Sequence, residues 1–460
     1  MNVLLISCYE LGHQPFALAS SAAHLLADGN RIRCLDLAVQ ELDTADVAWA
    51  DVAGISVPMH TAIRLGVRVG DHVRAIHPDC HIVYFGLYAS LNADYLLGTT
   101  ADSVIGGEFE TPLAEHVARL ASAASEEVPG VASRVHRAEP NLNRQRFLTP
   151  ARHLLPPLNK YARLQTAEGN TKLVGYVEAS RGCAHRCTHC PIPAVYGGRL
   201  RIVQSRVVLD DIANLVGMGA EHINFGDPDF LNGIKHSLRI VRAMNREFPS
   251  VTFDFTAKIE HLLEHEEVIS ELGGLGCLFI LSAVESIDEE ILRYLDKGHN
   301  KDDIVRALQI SREAGVALRP SLLPFTPWTT LSGYLELLDF VGEHGLVYHI
   351  DPVQYSIRLL VPPGSSLLKV PMLHPHLGDL IEEDFMYEWK HPDPRMDGLQ
   401  REVAKAAEEG VRNGEDAAIT FFKIKDRTLR TMLGHKRPTS TENVVVPAQK
   451  PPKLTEDWFC

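Results

Sequence analysis

Two series of short apolar runs, each alternating with helix-patterned segments, constrain this chain more than any other feature. In residues 1–125, runs at 2–7, 31–37, 52–57, 82–85 and 103–105 are separated by amphipathic stretches such as 16–26, 61–76 and 111–120. Such alternation predicts a parallel sheet covered on both faces, with a ligand crevice beyond the carboxyl ends of its strands. A second series predicts strands at 173–179, 222–225, 252–256, 278–283, 317–323 and 349–357. Helix-like segments at 207–218, 234–248, 288–295, 301–314 and 330–343 separate them. Six β–α units in a row predict a partial (β/α)6 barrel with its chemistry at the strand carboxyl ends. The Pro-, Asn- and Arg-rich stretch 126–171 reads as a surface linker. The barrel then spans 172–366, residues 367–435 read as a helical C-terminal extension, and the proline-rich 436–460 as an extended tail.

Composition narrows the function. A net charge of -14 argues against a general nucleic-acid binder, which would present a basic face. No stretch approaches the roughly 18–20 apolar residues of a membrane span. The opening MNVLLISCYE lacks the charged flank and cleavage site of a signal peptide and reads as a first strand. Eight cysteines in 460 residues are too sparse for a disulfide scaffold. A reducing cytoplasm is therefore the expected compartment.

Three of those cysteines crowd into EASRGCAHRCTHCPIP, spaced Cys183-x3-Cys187-x2-Cys190. Thiolates suit iron–sulfur clusters and zinc. A cubane cluster bound wholly by protein takes four cysteines, and no fourth lies nearby, so one ligand position is open to another molecule. The competing reading is a zinc site with His185 or His189 as fourth ligand.

The spacing, its place after the first barrel strand and the preceding SRG resemble the radical S-adenosylmethionine (SAM) superfamily. That resemblance implies a [4Fe-4S] cluster on Cys183, Cys187 and Cys190, with the amino and carboxylate groups of SAM on the fourth iron. NFGDPDF (224–230) matches the strand that contacts the methionine moiety, and so points to Gly226 and Asp227. SAVES (282–286) matches the segment whose Glu and Ser approach SAM, here Ser282, Glu285 and Ser286. From the residues alone, Glu285 is equally a solvated strand-end carboxylate, and Asp227 and Asp229 are equally turn or N-cap residues.

A sheet domain preceding the barrel resembles the superfamily's cobalamin-binding branch, whose flavodoxin-like domain takes the cofactor's nucleotide tail. VYFGLYAS (83–90) and VIGGEFETPL (104–113) match that domain's fourth- and fifth-strand loops. Gly86, Gly106 and Gly107 would permit close approach by a bulky ligand. Glu108 sits at a helix start, where a carboxylate also suits the dipole. The Asp-x-His-x-x-Gly signature that supplies histidine to cobalt is missing. His13, after the first strand, can reach the ligand face or is an ordinary loop histidine.

The segments ISCYELGHQPFALAS, VPMHTA, GDPDFLNG, LDKGH and PFTPWTT resemble a narrower group, the CUAEP/CCAEP-tail radical SAM proteins. In that group an acidic-aromatic stretch like TEDWFC leads to Cys-Sec-Ala-Glu-Pro or Cys-Cys-Ala-Glu-Pro. The resemblance implies a UGA selenocysteine codon after Cys460 and a redox or ligand role for Cys460. The resemblance to the cobalamin-binding branch implies methyl transfer as the leading reaction, on a small-molecule or peptide substrate and with an electron donor such as a flavodoxin or ferredoxin. Cobalamin-free rearrangement, cyclisation or alkyl transfer, and a non-catalytic zinc-stabilised binding protein, are the alternatives.

Overall fold

The computed structural model describes residues 1–122, 126–434 and 450–456. The first series forms β1 (Asn2–Ser7), β2 (Arg31–Asp36), β3 (Val52–Ser56), β4 (His81–Phe85) and β5 (Ser103–Ile105), all parallel in the order β2-β1-β3-β4-β5. An antiparallel edge strand, β6 (Val131–Ser133), completes the sheet. Side chains alternate between faces with period two. Leu4, Ile6, Ile55, Ile82 and Tyr84 pack on one side. Val3, Leu5, Val52, Val83 and Phe85 pack on the other, against helices Phe16–Ala27 and Glu110–Ser122. The chain leaves β1 toward β2 and returns on its other side at β3, so a crevice opens beyond β1 and β3.

The stretch expected as a surface linker runs along the surface but anchors itself in both cores through a few buried residues. Phe147 and Leu158 enter the barrel core, while Ala151 and Leu155 enter the N-terminal core. Arg152, 2% exposed, bonds Asp211 (3.0 and 2.9 Å), Gln14 (3.2 Å) and the Tyr176 carbonyl (2.6 Å). The stretch lacks periodicity because it serves two cores at once and repeats neither pattern.

After β7 (Arg163–Gln165) the barrel strands are β8 (Thr171–Val177), β11 (His222–Phe225), β12 (Thr252–Thr256), β13 (Cys277–Glu285) and β14 (Ala317–Leu322), parallel and in that order. A two-stranded ribbon, β9 (Ser180–Gly182) with β10 (Leu200–Ile202), brackets the cysteine loop. The sixth position differs from expectation. Residues 349–357 contain the 3-10 helix Pro352–Ser356, and strand-like pairing is reduced to a bridge between Phe325 and Arg358, while Gln354 accepts from the Leu322 amide (3.1 Å). Pro352 lacks the N–H that a ladder needs and fixes φ for a turn.

The extension is also less helical than expected. An antiparallel hairpin, β15 (Leu377–Ile381) and β16 (Met386–Trp389), precedes helices Pro394–Arg412 and Ala417–Leu433. Its turn residue Phe385 is inserted into the N-terminal core against Tyr95. The tail returns as β17 (Lys453–Leu454), antiparallel to β7. No helix among the described residues is long and apolar enough to cross a membrane.

Candidate active site at the barrel mouth

The cysteine loop leaves the barrel at the carboxyl end of β8. Gly182 has φ 70°, and a Cβ there would stand 2.2 Å from the Arg199 carbonyl oxygen, which explains the glycine of SRG. Cys183 and Cys187 are buried, and the Cys187 carbonyl accepts from the Cys190 amide (3.3 Å). Asn232 donates to the Cys183 sulfur at 3.4 Å. Burial, with the other two sulfurs nearby, pushes Cys190 up to about 12. Burial raises the Cys183 thiol as well, and a bound cation supplies the charge that favours thiolates. The remaining described cysteines, Cys8, Cys34, Cys80 and Cys277, lie elsewhere in the fold. These residues fit a cluster with one open iron.

The loop is clamped from the far side of the barrel. Thr188 donates through its amide to the Leu295 carbonyl (3.0 Å) and through its hydroxyl to the Tyr294 carbonyl (2.7 Å). Glu285 ends β13 with φ 64°, where the register with β14 shifts. Its carboxylate meets Lys297 Nζ (3.4 Å) and His189 Nε2 (3.3 Å). Burial works against the charge, but Lys297 and His189 win and hold the group down at about 2. Glu285 is thus an ionised group beside the cysteine loop, not a solvated strand end.

The other expected SAM contacts have these neighbours within the protein. Ser282 is fully buried and donates to the Ala257 carbonyl (2.7 Å). Ser286 caps a turn by accepting from the Asp288 amide (3.1 Å). Asp227 accepts from the Ala179 amide (2.9 Å) and the Ser180 hydroxyl, which ties β11 to the start of the loop. A Cβ on Gly226 would fall 2.0 Å from the Tyr176 ring, so this glycine admits Tyr176.

Between the crevice of the first sheet and the barrel mouth lies a cavity of ≈ 320 Å3. The N-terminal side supplies His13, Met59, Gly86 and Gly107, and the barrel side Tyr176, Asn224, Gly226 and Arg319. Gly182 and Ile192, flanking the cysteines, also line it. His13 stacks on Tyr176 with ring centroids 4.7 Å apart, and burial pulls its pKa to about 4, so it presents a neutral imidazole. The space is bounded by strand ends of both sheets and reached by an uncharged histidine.

The glycines of the N-terminal loops stand close against neighbouring protein. A Cβ on Gly107 would meet the Asn141 carbonyl oxygen at 2.2 Å, one on Gly106 the Ser90 side chain at 2.4 Å, and one on Gly86 the Val57 backbone at 3.2 Å. Gly86 and Gly107 also line the cavity. Glu108 faces inward: its carboxylate accepts from Tyr196 Oη (2.9 Å) and Gln145 (3.2 Å) and lies 3.7 Å from Arg181.

Glu108 belongs to a network that sequence reasoning missed. Arg181 makes a two-pronged contact with Glu110 (2.9 and 2.6 Å) and bonds Glu178 (2.6 Å), with its guanidinium over Phe109 and Phe147. Burial opposes ionisation of Glu110, but Arg181 holds its carboxyl below the usual range, whereas burial lifts Glu108. The arginine adjoining the cysteine loop is thereby locked to the first sheet. Its signal was the Arg of SRG paired with the two acids of GGEFE, 71 and 73 residues away. Cys460 lies outside the described residues. Glu456, the last of them, accepts from Tyr9 Oη (3.0 Å) beside the first-sheet crevice.

Comparison with known proteins agrees with this geometry. Residues 177–338 match the radical SAM superfamily. The chain is 26% identical over 332 residues to a hopanoid C-3 methylase of Methylococcus capsulatus, covering 68% of this chain and 62% of that protein. It is 23% identical over 267 residues to a putative methylthiotransferase of Methanocaldococcus jannaschii, covering 55% of each. The chain thus spans less than two thirds of the length of either relative. Among solved structures, the cobalamin-dependent SAM radical enzyme OxsB with aqua-cobalamin bound superposes with TM-score 0.71 at 14% identity, covering 96% of this chain and 77% of that one. The radical SAM methyltransferase TsrM from Kitasatospora setae, with cobalamin and a [4Fe-4S] cluster bound, gives 0.61 at 19% identity, covering 75% and 73%. Both share the sheet-then-barrel fold. Over residues 177–338, the barrel region, the chain is thus similar to the radical SAM superfamily.

Proposed function

We propose that this protein is a radical SAM enzyme that uses a [4Fe-4S] cluster and cobalamin to methylate a small molecule or peptide. The observation that carries the reading is one loop bearing three converging cysteines, with both flanks lining a cavity that the first-sheet crevice also bounds. When bound, the cluster, SAM and cobalamin would supply one-electron reduction of a sulfonium and a transferable methyl group. Cys183, Cys187 and Cys190 would hold the cluster. Glu285, kept ionised by Lys297 and His189, would accept hydrogen bonds from SAM's amine or ribose. His13, Met59 and Leu87 would bound the cobalamin side, and Tyr176, Asn224 and Arg319 the substrate side. The relatives are named as methylases and methylthiotransferases, which favours methyl transfer over rearrangement.

The zinc reading has less support. His185 has Nε2 near Asp229 and Nδ1 near Lys258, and His189 has Nε2 near Glu285, so three of the four ring nitrogens already face other groups. An electron donor such as a flavodoxin or ferredoxin, a reducing cytoplasm and a two-domain division with residues 1–125 as the cobalamin-binding half belong to the same proposal.

The test is anaerobic purification with iron, sulfide and cobalamin supplied, followed by metal analysis and reductive turnover of SAM. Iron and cobalt together, with SAM consumed only under reduction, support the reading. Iron without cobalt supports the cobalamin-free alternative. Zinc in place of iron overturns the proposal.

A further inference from the structure

Against the cysteine loop lies a second set of metal-binding side chains that the cluster does not use. His185 sits on the loop between Cys183 and Cys187. Asp229 caps the 3-10 turn Phe230–Gly233 after β11, and His261 lies on the helix Ile259–Glu264 after β12. Three separate β–α loops thus bring two imidazoles and a carboxylate to one point, with one ligand atom from each within 4.8 Å of the others. His185 Nε2 stands 3.3 Å and His261 Nδ1 2.9 Å from the same oxygen, Oδ2 of Asp229. Neither approach has hydrogen-bond geometry: both ring nitrogens are buried and lack a hydrogen-bond partner although an acceptor is in reach. Asp229 itself is 1% exposed and fixed, accepting from the Leu231 amide (3.0 Å) and the Lys258 amide (3.2 Å). A fixed carboxylate flanked by two imidazoles is a donor set that suits a transition-metal ion.

We propose that His185, Asp229 and His261 bind one divalent transition-metal ion of the zinc type, distinct from the cluster. Zinc–nitrogen and zinc–oxygen bonds of about 2.0–2.2 Å place tetrahedral ligands roughly 3.3 Å apart. Two of the separations already lie near that value, and the third is no more than 4.8 Å, so a small shift of one ring closes it. Binding through Nε2 moves the proton of His185 to Nδ1. There Glu260 Oε2, 3.8 Å away, replaces Lys258 Nζ as its partner and orients the ring. Lys258 keeps its ion pair with Glu260. The histidine side chains are 19% and 14% exposed, which leaves an entry path and a fourth position for water. The ion would pin the cysteine loop, through His185, to the loops after β11 and β12. The proposal does not rest on what the three cysteines bind.

Zinc is the probe. Cluster-reconstituted protein incubated with zinc and desalted through a weak chelator should hold about four iron and one zinc per chain. The His261→Ala and Asp229→Asn variants should keep the iron and lose the zinc. In a Cys183→Ala/Cys187→Ala/Cys190→Ala background, whose fold is checked by circular dichroism, one equivalent of cobalt(II) should give tetrahedral visible bands without thiolate charge transfer. Adding His261→Ala should abolish them. Wild type holding iron but no zinc, or zinc retained by His261→Ala, would overturn the proposal. If His261→Ala loses iron as well, the cysteine-free background decides: cobalt bound there supports the site, and none bound refutes it.

Discussion

Arg181 carries the contact between the first sheet and the cysteine loop, and Arg181→Met should expose its worth. The guanidinium side chain is 7% exposed and faces Glu110 and Glu108, both fully buried, as well as Glu178. Methionine keeps the stem's packing over Phe109 and Phe147 but leaves buried carboxylates unpaired. Breaking a buried pair from one side costs about 3–5 kcal/mol. Ser20 (2.7 Å) and Gln145 (2.7 Å) still donate to Glu110, which favours the lower end. With a urea slope of about 1–3 kcal/mol per molar, the first unfolding midpoint should fall by about 1 M or more. The pH dependence has a definite sign. In the wild type Arg181 depresses Glu110, so that group's stabilisation is present above its unfolded value of 4.5 and lost as pH falls. Without Arg181, burial raises Glu110, and the folded state gains by binding a proton. The deficit of Arg181→Met should therefore be largest near neutral pH and shrink toward pH 4, and Arg181→Met/Glu110→Gln should recover part of it. An Arg181→Met midpoint equal to wild type, or a deficit that does not change with pH, would refute the reasoning.

Other perturbations separate packing from binding. Gly107→Trp would collide with the Asn141 backbone at a φ of +75° and so cannot isolate a ligand effect. Met59→Trp instead fills the cavity from its N-terminal wall and should cut cobalt retention about tenfold or more, equivalent to roughly 1.4 kcal/mol, with iron content unchanged; unchanged cobalt would remove the cavity from the account. Burial lifts Asp227 to about 7, against the pull of Ser180 and Ala179. A raised carboxyl stabilises most below its unfolded value of 3.8, and that stability is lost as pH rises toward 7. Asp227→Asn should cost about 1–3 kcal/mol by losing an acceptor and should flatten the stability–pH curve across that window, a slope of at most about 1.4 kcal/mol per unit. A curve as steep as wild type would count against it.

Local patterns made much of the fold legible, and long-range partnerships did not. Strand positions such as Asn2–Ser7, His222–Phe225 and Thr252–Thr256 follow from apolar runs bounded by turn residues. The run at 349–357 misled because its apolar residues pack through a proline-led 3-10 turn. The hairpin ending at Trp389 was hidden by the acidic residues Glu382, Glu383 and Asp384 in its turn. In the site, the cysteines were legible because their spacing is short and local. Arg181 with Glu110, or Asp229 with His185 and His261, join residues tens of positions apart through the barrel mouth, and no periodicity encodes them. The glycines of the N-terminal loops stand where neighbouring backbone or side chains come close, and Gly86 and Gly107 also line the cavity.

The central claim is that Cys183, Cys187 and Cys190 hold a cluster whose fourth iron is left for SAM. Electron paramagnetic resonance of the anaerobically reconstituted, reduced protein tests it directly, with and without SAM. A reduced [4Fe-4S] signal whose g-values shift when SAM is added, and which is absent from Cys187→Ala, is the predicted result. A signal unmoved by saturating SAM, or one retained by Cys187→Ala, would contradict the account.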